Sequence, residues 1–256
     1  MITRSPVAGG ELALVYGRGV DGAPTLVFLH DSLGCIETWR GFPEQLAQAT
    51  GCNYLVYDRL GYGQSSPDPD ALRRQKDYMH KEAVVLNELL QRLDLTQPIL
   101  FGHSDGATIA LIAAAQEGNR IAGLIVEAPH IFVEEVTLAG VQKAFDSYPN
   151  ELFRAKLQKY HGAKADDVFY SWTKTWLSND FRDWSIESLL PQISCPCLII
   201  QGEKDEFGTL RQVEGIVQSV SGPVRKEIVK NTGHSPHKTH KDLTLRSSAK
   251  FVEIMK

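Results

Sequence analysis

The chain has 256 residues, 43% hydrophobic and 23% charged, which suits one globular core and excludes disordered, collagen-like and coiled-coil classes. Its 27 basic and 31 acidic residues leave a net charge of −4, which argues against nucleic acid as the main partner. The four cysteines lack zinc or redox spacing, and neither a signal-like leader nor an 18-residue apolar run occurs, so a cytoplasmic protein with no membrane partner is expected.

In chain order, apolar runs rich in strand formers fall at 25–30 (TLVFLH), 53–58 (NYLVYD), 97–103 (QPILFGH), 121–129 (IAGLIVEAP) and 195–202 (CPCLIIQG). A weaker one falls at 224–230 (VRKEIVK). They are continuously apolar rather than alternating, as parallel strands covered on both faces are. Helical stretches lie between them. One covers 38–49 with a threonine N-cap, and one covers 76–94 with Val84, Val85, Leu89 and Leu93 on one stripe. Others cover the Ala-rich 105–117, then 209–220 and 241–256. The alternation predicts an α/β fold with a doubly wound, mostly parallel sheet. Residues 130–190 break the rhythm, since about 60 positions between two strands exceed a loop plus one helix. This stretch carries Trp172, Trp176 and Trp184 with Phe145, Phe153, Tyr160, Phe169 and Tyr170. It reads as a helical cap inserted into a core built from 1–129 and 191–256.

Residues 102–106 read Gly-His-Ser-Asp-Gly, a G-x-S-x-G pattern set between a predicted strand and a predicted helix. A serine on such a turn stands clear at the carboxyl edge of the sheet, beside the free N–H groups of a helix N-terminus. A serine needs a base. His234, freed by Gly233 in the loop after strand 224–230, opens at the same edge, with His237 as its rival. The base needs an orienting carboxylate. Asp205 follows strand 195–202, with Glu203 and Glu206 on the same loop and Glu127 on another strand as competitors. An oxyanion hole takes two N–H donors, here the amide of Asp105, after the nucleophile, and that of Ser32, in the loop after strand 25–30.

Four motifs then stand in one order: HDSLG (30–34), YDRLGYGQS (57–65), GHSDG (102–106), and GEKD (202–205) with GH (233–234). In this combination the chain resembles the α/β-hydrolase superfamily over nearly its whole length. GHSDGATIALIAAA and LIIQGEKD are most similar to small capped esterases of the valacyclovir (biphenyl hydrolase-like) hydrolase type. The resemblance implies Ser104 as nucleophile, Asp205 as acid, His234 as base, and Ser32 and Asp105 as oxyanion donors. The chain departs from it at Asp31, where many relatives carry glycine. Asp58 and Arg59 occupy a position where the family often carries such a pair, and they read as a structural ion pair or loop anchor.

The expected activity is that of a serine hydrolase acting on an ester-type bond of a small molecule through an acyl-enzyme, with no cofactor and no metal. A carbon–carbon bond hydrolase or a lactonase would use the same triad, and a non-catalytic ligand-binding relative would lack part of it. Trp172 and Trp176, four apart on one helix face, are candidates for the substrate pocket. So is the Asp105 carboxylate, which either turns away to the first turn of the helix or pairs with a cationic substrate group such as an α-amino group.

Overall fold

The computed structural model describes residues 1–117 and 120–255. Six strands run parallel: β3 (Thr25–Leu29), β4 (Asn53–Tyr57), β5 (Ile99–His103), β6 (Gly123–Glu127), β7 (Cys197–Gly202) and β8 (Val224–Val229). Two more, β1 (Thr3–Val7) and β2 (Gly10–Gly17), form an antiparallel hairpin that joins the sheet along β4. The order is β1-β2-β4-β3-β5-β6-β7-β8. The sequence predicts no strand before Thr25. The β2 segment GELALVYG buries only Leu12, Ala13 and Leu14 as a block, too short an apolar run to stand out.

The interior strands are buried along their whole length, so their alternate residues serve two cores. Val27, Leu29, Leu100, Leu124 and Val126 point to the face covered by α2 (Tyr78–Arg92) and α3 (Asp105–Glu117). Leu26, Phe28, Phe101 and Ile125 point to the face covered by α1 (Phe42–Thr50) and α9 (Lys241–Ile254). There Phe28 stacks on Phe101 at 5.3 Å and meets the edge of Trp39 at 5.4 Å. The edge strand β8 is half-exposed, which explains the charged residues that weakened its signal.

Two helices differ from expectation. Thr38 does not open α1. It closes a 3-10 turn over Ile36–Trp39, its hydroxyl accepting from the Cys35 amide at 3.0 Å, and α1 begins only after Arg40 and Gly41, both left-handed. In α2 Leu89 of the expected stripe is fully buried and Val85 and Leu93 pack against the core, Met79, Ala83, Leu86 and Leu90 complete the buried face, and Val84 is 60% exposed. Of that stripe only Val84 faces solvent. The helix predicted over 241–256 is α9, and residue 256 lies outside the described residues.

Between β6 and β7, residues 130–190 form α4 (Glu135–Ser147), α5 (Glu151–His161) and α6 (Ala165–Trp176), with 3-10 turns around them. Val141, Leu157 and Trp172, one from each helix, line the cavity that holds Ser104. Tyr148 stacks on Phe169 at 3.7 Å and Phe181 on Trp184 at 5.1 Å, so the aromatic residues of this stretch pack mostly on one another. Among the described residues no helix is long and apolar enough to cross a membrane.

The turn from β5 to α3 depends on close backbone approach. A Cβ on Gly106 would lie 2.1 Å from the Leu29 carbonyl oxygen, a contact no side-chain motion relieves. Gly106→Ala should therefore cost about 1–3 kcal/mol and lower the melting temperature by several degrees in a thermal scan, with activity falling as β3 and α3 are forced apart.

Candidate active site

Ser104 lies between the last residue of β5 and the first of α3, with φ at 55°. That left-handed geometry costs a residue with a Cβ about 1–2 kcal/mol. It is held because the Ser104 amide donates to the Glu127 carbonyl at 2.9 Å while its own carbonyl accepts from Ala107 and Thr108. The hydroxyl of Ser104 faces His234, whose Nε2 is 2.9 Å away. On the other side of the ring, Nδ1 lies 2.9 Å from both carboxylate oxygens of Asp205. Asp205 is fixed in turn by Gln201 Nε2 at 2.7 Å and the Phe207 amide at 2.8 Å. Three loops, after β5, β7 and β8, thus bring the predicted triad together.

The electrostatics are consistent with that geometry. Burial pushes the Asp205 carboxyl up, but the adjoining His234 more than offsets it and holds the carboxyl down at about 2. Burial pulls His234 down, yet the Asp205 charge prevails and its pKa is raised above 6.5. Asp205 therefore accepts a hydrogen bond from Nδ1–H, and Nε2 of the neutral ring is left to accept the Ser104 proton.

The rival residues have other roles. His237 is buried against Trp39 and donates Nδ1–H to Glu127 at 2.6 Å, burial keeping its ring neutral. Glu127 also accepts the His237 amide, and Glu206 accepts the His234 amide at 3.2 Å. Glu203 accepts the Asn231 amide. His103, Glu127 and His237 place one donor atom each within 4.8 Å, the one such metal-sized group among the described residues. Their facing atoms are already engaged: His103 Nε2 lies 2.9 Å from the His234 carbonyl, and its Nδ1 lies 3.1 Å from Asp31. The group braces the His234 loop from behind.

Ser32 and Asp105 both line the cavity, and among the described residues neither amide has an acceptor. Asp31 needs no glycine-like backbone, since it is absent from the left-handed residues. It contributes its carboxylate, which accepts from the Leu33 amide at 2.9 Å and contacts His103 and Lys238. Burial pushes that carboxyl up, but Lys238 and His103 hold it well below the usual range. Asp58 and Arg59 do not pair with each other. Asp58 anchors its loop by accepting from Ile36 and Gln64, while the Arg59 guanidinium lies 3.7 Å from Glu82 and 3.8 Å from Asp105.

The cavity above Ser104 measures about 240 Å³. Trp172 and Trp176 both line it, and Trp176 also donates its indole N–H to the Tyr78 hydroxyl at 3.0 Å. Tyr78 donates to Asp105 Oδ2 at 3.1 Å, so the Asp105 carboxylate is at the cavity wall with one oxygen engaged. Sequence reasoning missed Tyr78, His130, Phe207, Lys156 and Lys238. None belongs to a motif, and only the fold carries them to this edge.

The sequence pattern of the alpha/beta hydrolase fold matches residues 24–176, and the chain belongs to that family. It is 27% identical over 245 residues to serine hydrolase BPHL of Mus musculus, covering 92% of this chain and 81% of that protein. It is 24% identical over 259 residues to 2-succinyl-6-hydroxy-2,4-cyclohexadiene-1-carboxylate synthase of Salmonella paratyphi C, covering 92% and 96%. Among solved structures, an esterase from Exiguobacterium antarcticum superposes with a TM-score of 0.78 at 21% identity, covering 99% of this chain and all of that one.

Because His234 must be neutral to take a proton and its pKa is raised, kcat/KM should fall as pH drops through a value above 6.5. Asp205→Asn removes the cause of that rise and the preference for the correct tautomer. The acid limb of the pH–rate profile should then move down, and the plateau kcat should drop about 10⁴-fold.

Proposed function

We propose that the protein is a serine hydrolase that cleaves an ester-type bond of a small molecule through an acyl-enzyme. The observation that carries this reading is the continuous Asp205–His234–Ser104 hydrogen-bonded line, which ends on a hydroxyl that lines a cavity. As Ser104 Oγ attacks the carbonyl carbon, its proton passes to His234 Nε2. The carbonyl oxygen becomes an oxyanion that accepts from the Ser32 and Asp105 amides. Collapse expels the alcohol, which takes the proton from His234. A water molecule, deprotonated by His234, then attacks the acyl carbon and releases the acid and Ser104. Each proton and electron pair is handled by the triad, so this reaction calls for no cofactor or metal.

The mouse relative's name, serine hydrolase, supports the reaction class. The cavity volume supports a small substrate, which Trp172, Trp176 and Asp105 would contact. Four buried, unpaired cysteines suit a reducing, cytoplasmic setting.

A fluorophosphonate probe should label the wild type at Ser104 and leave Ser104→Ala unlabelled. That variant should keep its fold and lose several orders of magnitude in kcat on a panel of short-chain esters. Turnover of lactones or vinylogous diketones, with esters untouched, would reassign the bond.

Asp105 acts in this reading as a hydrogen-bond acceptor rather than as a free anion. The Arg59 guanidinium, 3.8 Å from Asp105, already pairs with that carboxylate and opposes a second cation beside it. An α-amino ester and its uncharged isostere should therefore differ by less than about tenfold in kcat/KM, which is 1.4 kcal/mol. A larger preference for the charged ester, abolished by Asp105→Asn, would restore the ion-pair role.

A further inference from the structure

We propose that Arg59 is a positioning residue for the oxyanion hole: its guanidinium holds the Asp31–Ser32 peptide so that the Ser32 N–H faces the reacting carbonyl. The inference rests on the serine-hydrolase reading above. The Asp31 carbonyl oxygen and the Ser32 N–H belong to one planar peptide unit, in which they point in opposite directions. Whatever binds the oxygen therefore aims the N–H. Arg59 Nη2 donates to that oxygen at 3.0 Å, His30 Nδ1 lies 2.8 Å from it, and the Gly34 amide donates at 3.2 Å.

Arg59 also controls the second of these donors. Its main-chain N–H donates to His30 Nε2 at 3.1 Å, so Nε2 is an acceptor and the ring proton must sit on Nδ1. His30 is buried, and burial with the nearby Arg59 charge keeps its pKa well below 6.5, which maintains that neutral tautomer. One residue thus supplies one side-chain donor to the peptide oxygen and selects the tautomer that supplies another. Hydrogen bonds to a carbonyl polarise the peptide and strengthen its N–H as a donor, an effect of about 10–30% per bond.

The same guanidinium reaches the other half of the hole. At 3.8 Å from Asp105 Oδ2 it offsets a carboxylate one residue from the nucleophile, which would otherwise oppose negative charge on the substrate oxygen. Stability alone accounts poorly for this placement. Arg59 is fully buried, and among the described residues its Nε and Nη1 have no hydrogen-bond partner. A buried cation with orphan donors is a cost. The described hydrogen bond that its side chain does make goes to the Asp31 carbonyl, and its remaining contacts are the Tyr62 ring at 4.4 Å and the two carboxylates.

The test compares wild type with Arg59→Lys, Arg59→Gln and Glu82→Gln, the last stripping the far-side ion pair from the same guanidinium. A neutral ester gives kcat and KM. A trifluoromethyl ketone, which adds to Ser104 as an oxyanion, is compared with the product acid as inhibitors. Both Arg59 variants should lose about 10- to 100-fold in kcat, below the effect of removing a direct oxyanion donor, with KM nearly unchanged. Ketone affinity should fall by a similar factor while product affinity holds, and Glu82→Gln should change neither. Retained kcat and ketone affinity would overturn the proposal, as would equal losses for ketone and product. Should neither Arg59 variant fold, the wild type decides by NMR: the Arg59 Nη resonances should shift on ketone addition and stay in place with product acid. No shift on addition refutes the role. A wild type that is unlabelled by fluorophosphonate and hydrolyses nothing fails at the earlier step and takes the serine-hydrolase reading with it.

Discussion

The left-handed serine between β5 and α3 is the constraint on which the other parts of the site depend. Its backbone is held from two sides, by the Glu127 carbonyl on the next strand and by the first turn of α3. Gly106 lets that helix start against the end of β3. Once Ser104 is fixed there, the loops after β7 and β8 need only modest reach to bring Asp205 and His234 into line. The sheet does the positioning, because parallel strands end together at one edge.

Behind that line the protein buries charge on a scale that stability does not require. Arg59, Glu82 and Asp105 form one cluster, and His103, Glu127 and His237 another, with Asp105 and His103 lining the cavity itself. Burying ions costs several kcal/mol each unless they are paired and hydrogen-bonded. Within the first cluster Arg59 alone reaches the Asp31–Ser32 peptide, and within the second His103 meets the His234 backbone. Groups that are expensive to bury are concentrated where position matters most. The helices of 130–190 line one side of the cavity, and His161 at the end of α5 clips them to the loop after β3 through the Leu33 carbonyl at 3.0 Å.

Several elements were legible in the sequence for clear physical reasons. The interior strands read as unbroken apolar runs because both faces are covered. Ser104, Asp205 and His234 were legible because each follows a strand and the three chemical types are complementary. The β1–β2 hairpin was not, since a short edge hairpin buries too little to leave a periodic signal. The start of α1 was misplaced because Thr38 caps a 3-10 turn, and the left-handed Arg40 carries no composition cue. Val84 misled because one exposed valine mimics a core position.

By itself the sequence determined the α/β alternation, the strand ends and the chemical identity of the triad, because these depend on local periodicity and residue type. Tertiary structure gave His237, three residues from His234, its separate place: His234 reaches Ser104 and His237 turns to buried Glu127. It also decided that Asp31 serves through its carboxylate and that Asp58 and Arg59 make separate contacts rather than a pair. Only folding brought Tyr78, at the start of a helix with no motif, onto Asp105. Each of those outcomes depends on which way a side chain points across contacts between residues distant in sequence, and neither composition nor spacing encodes that direction.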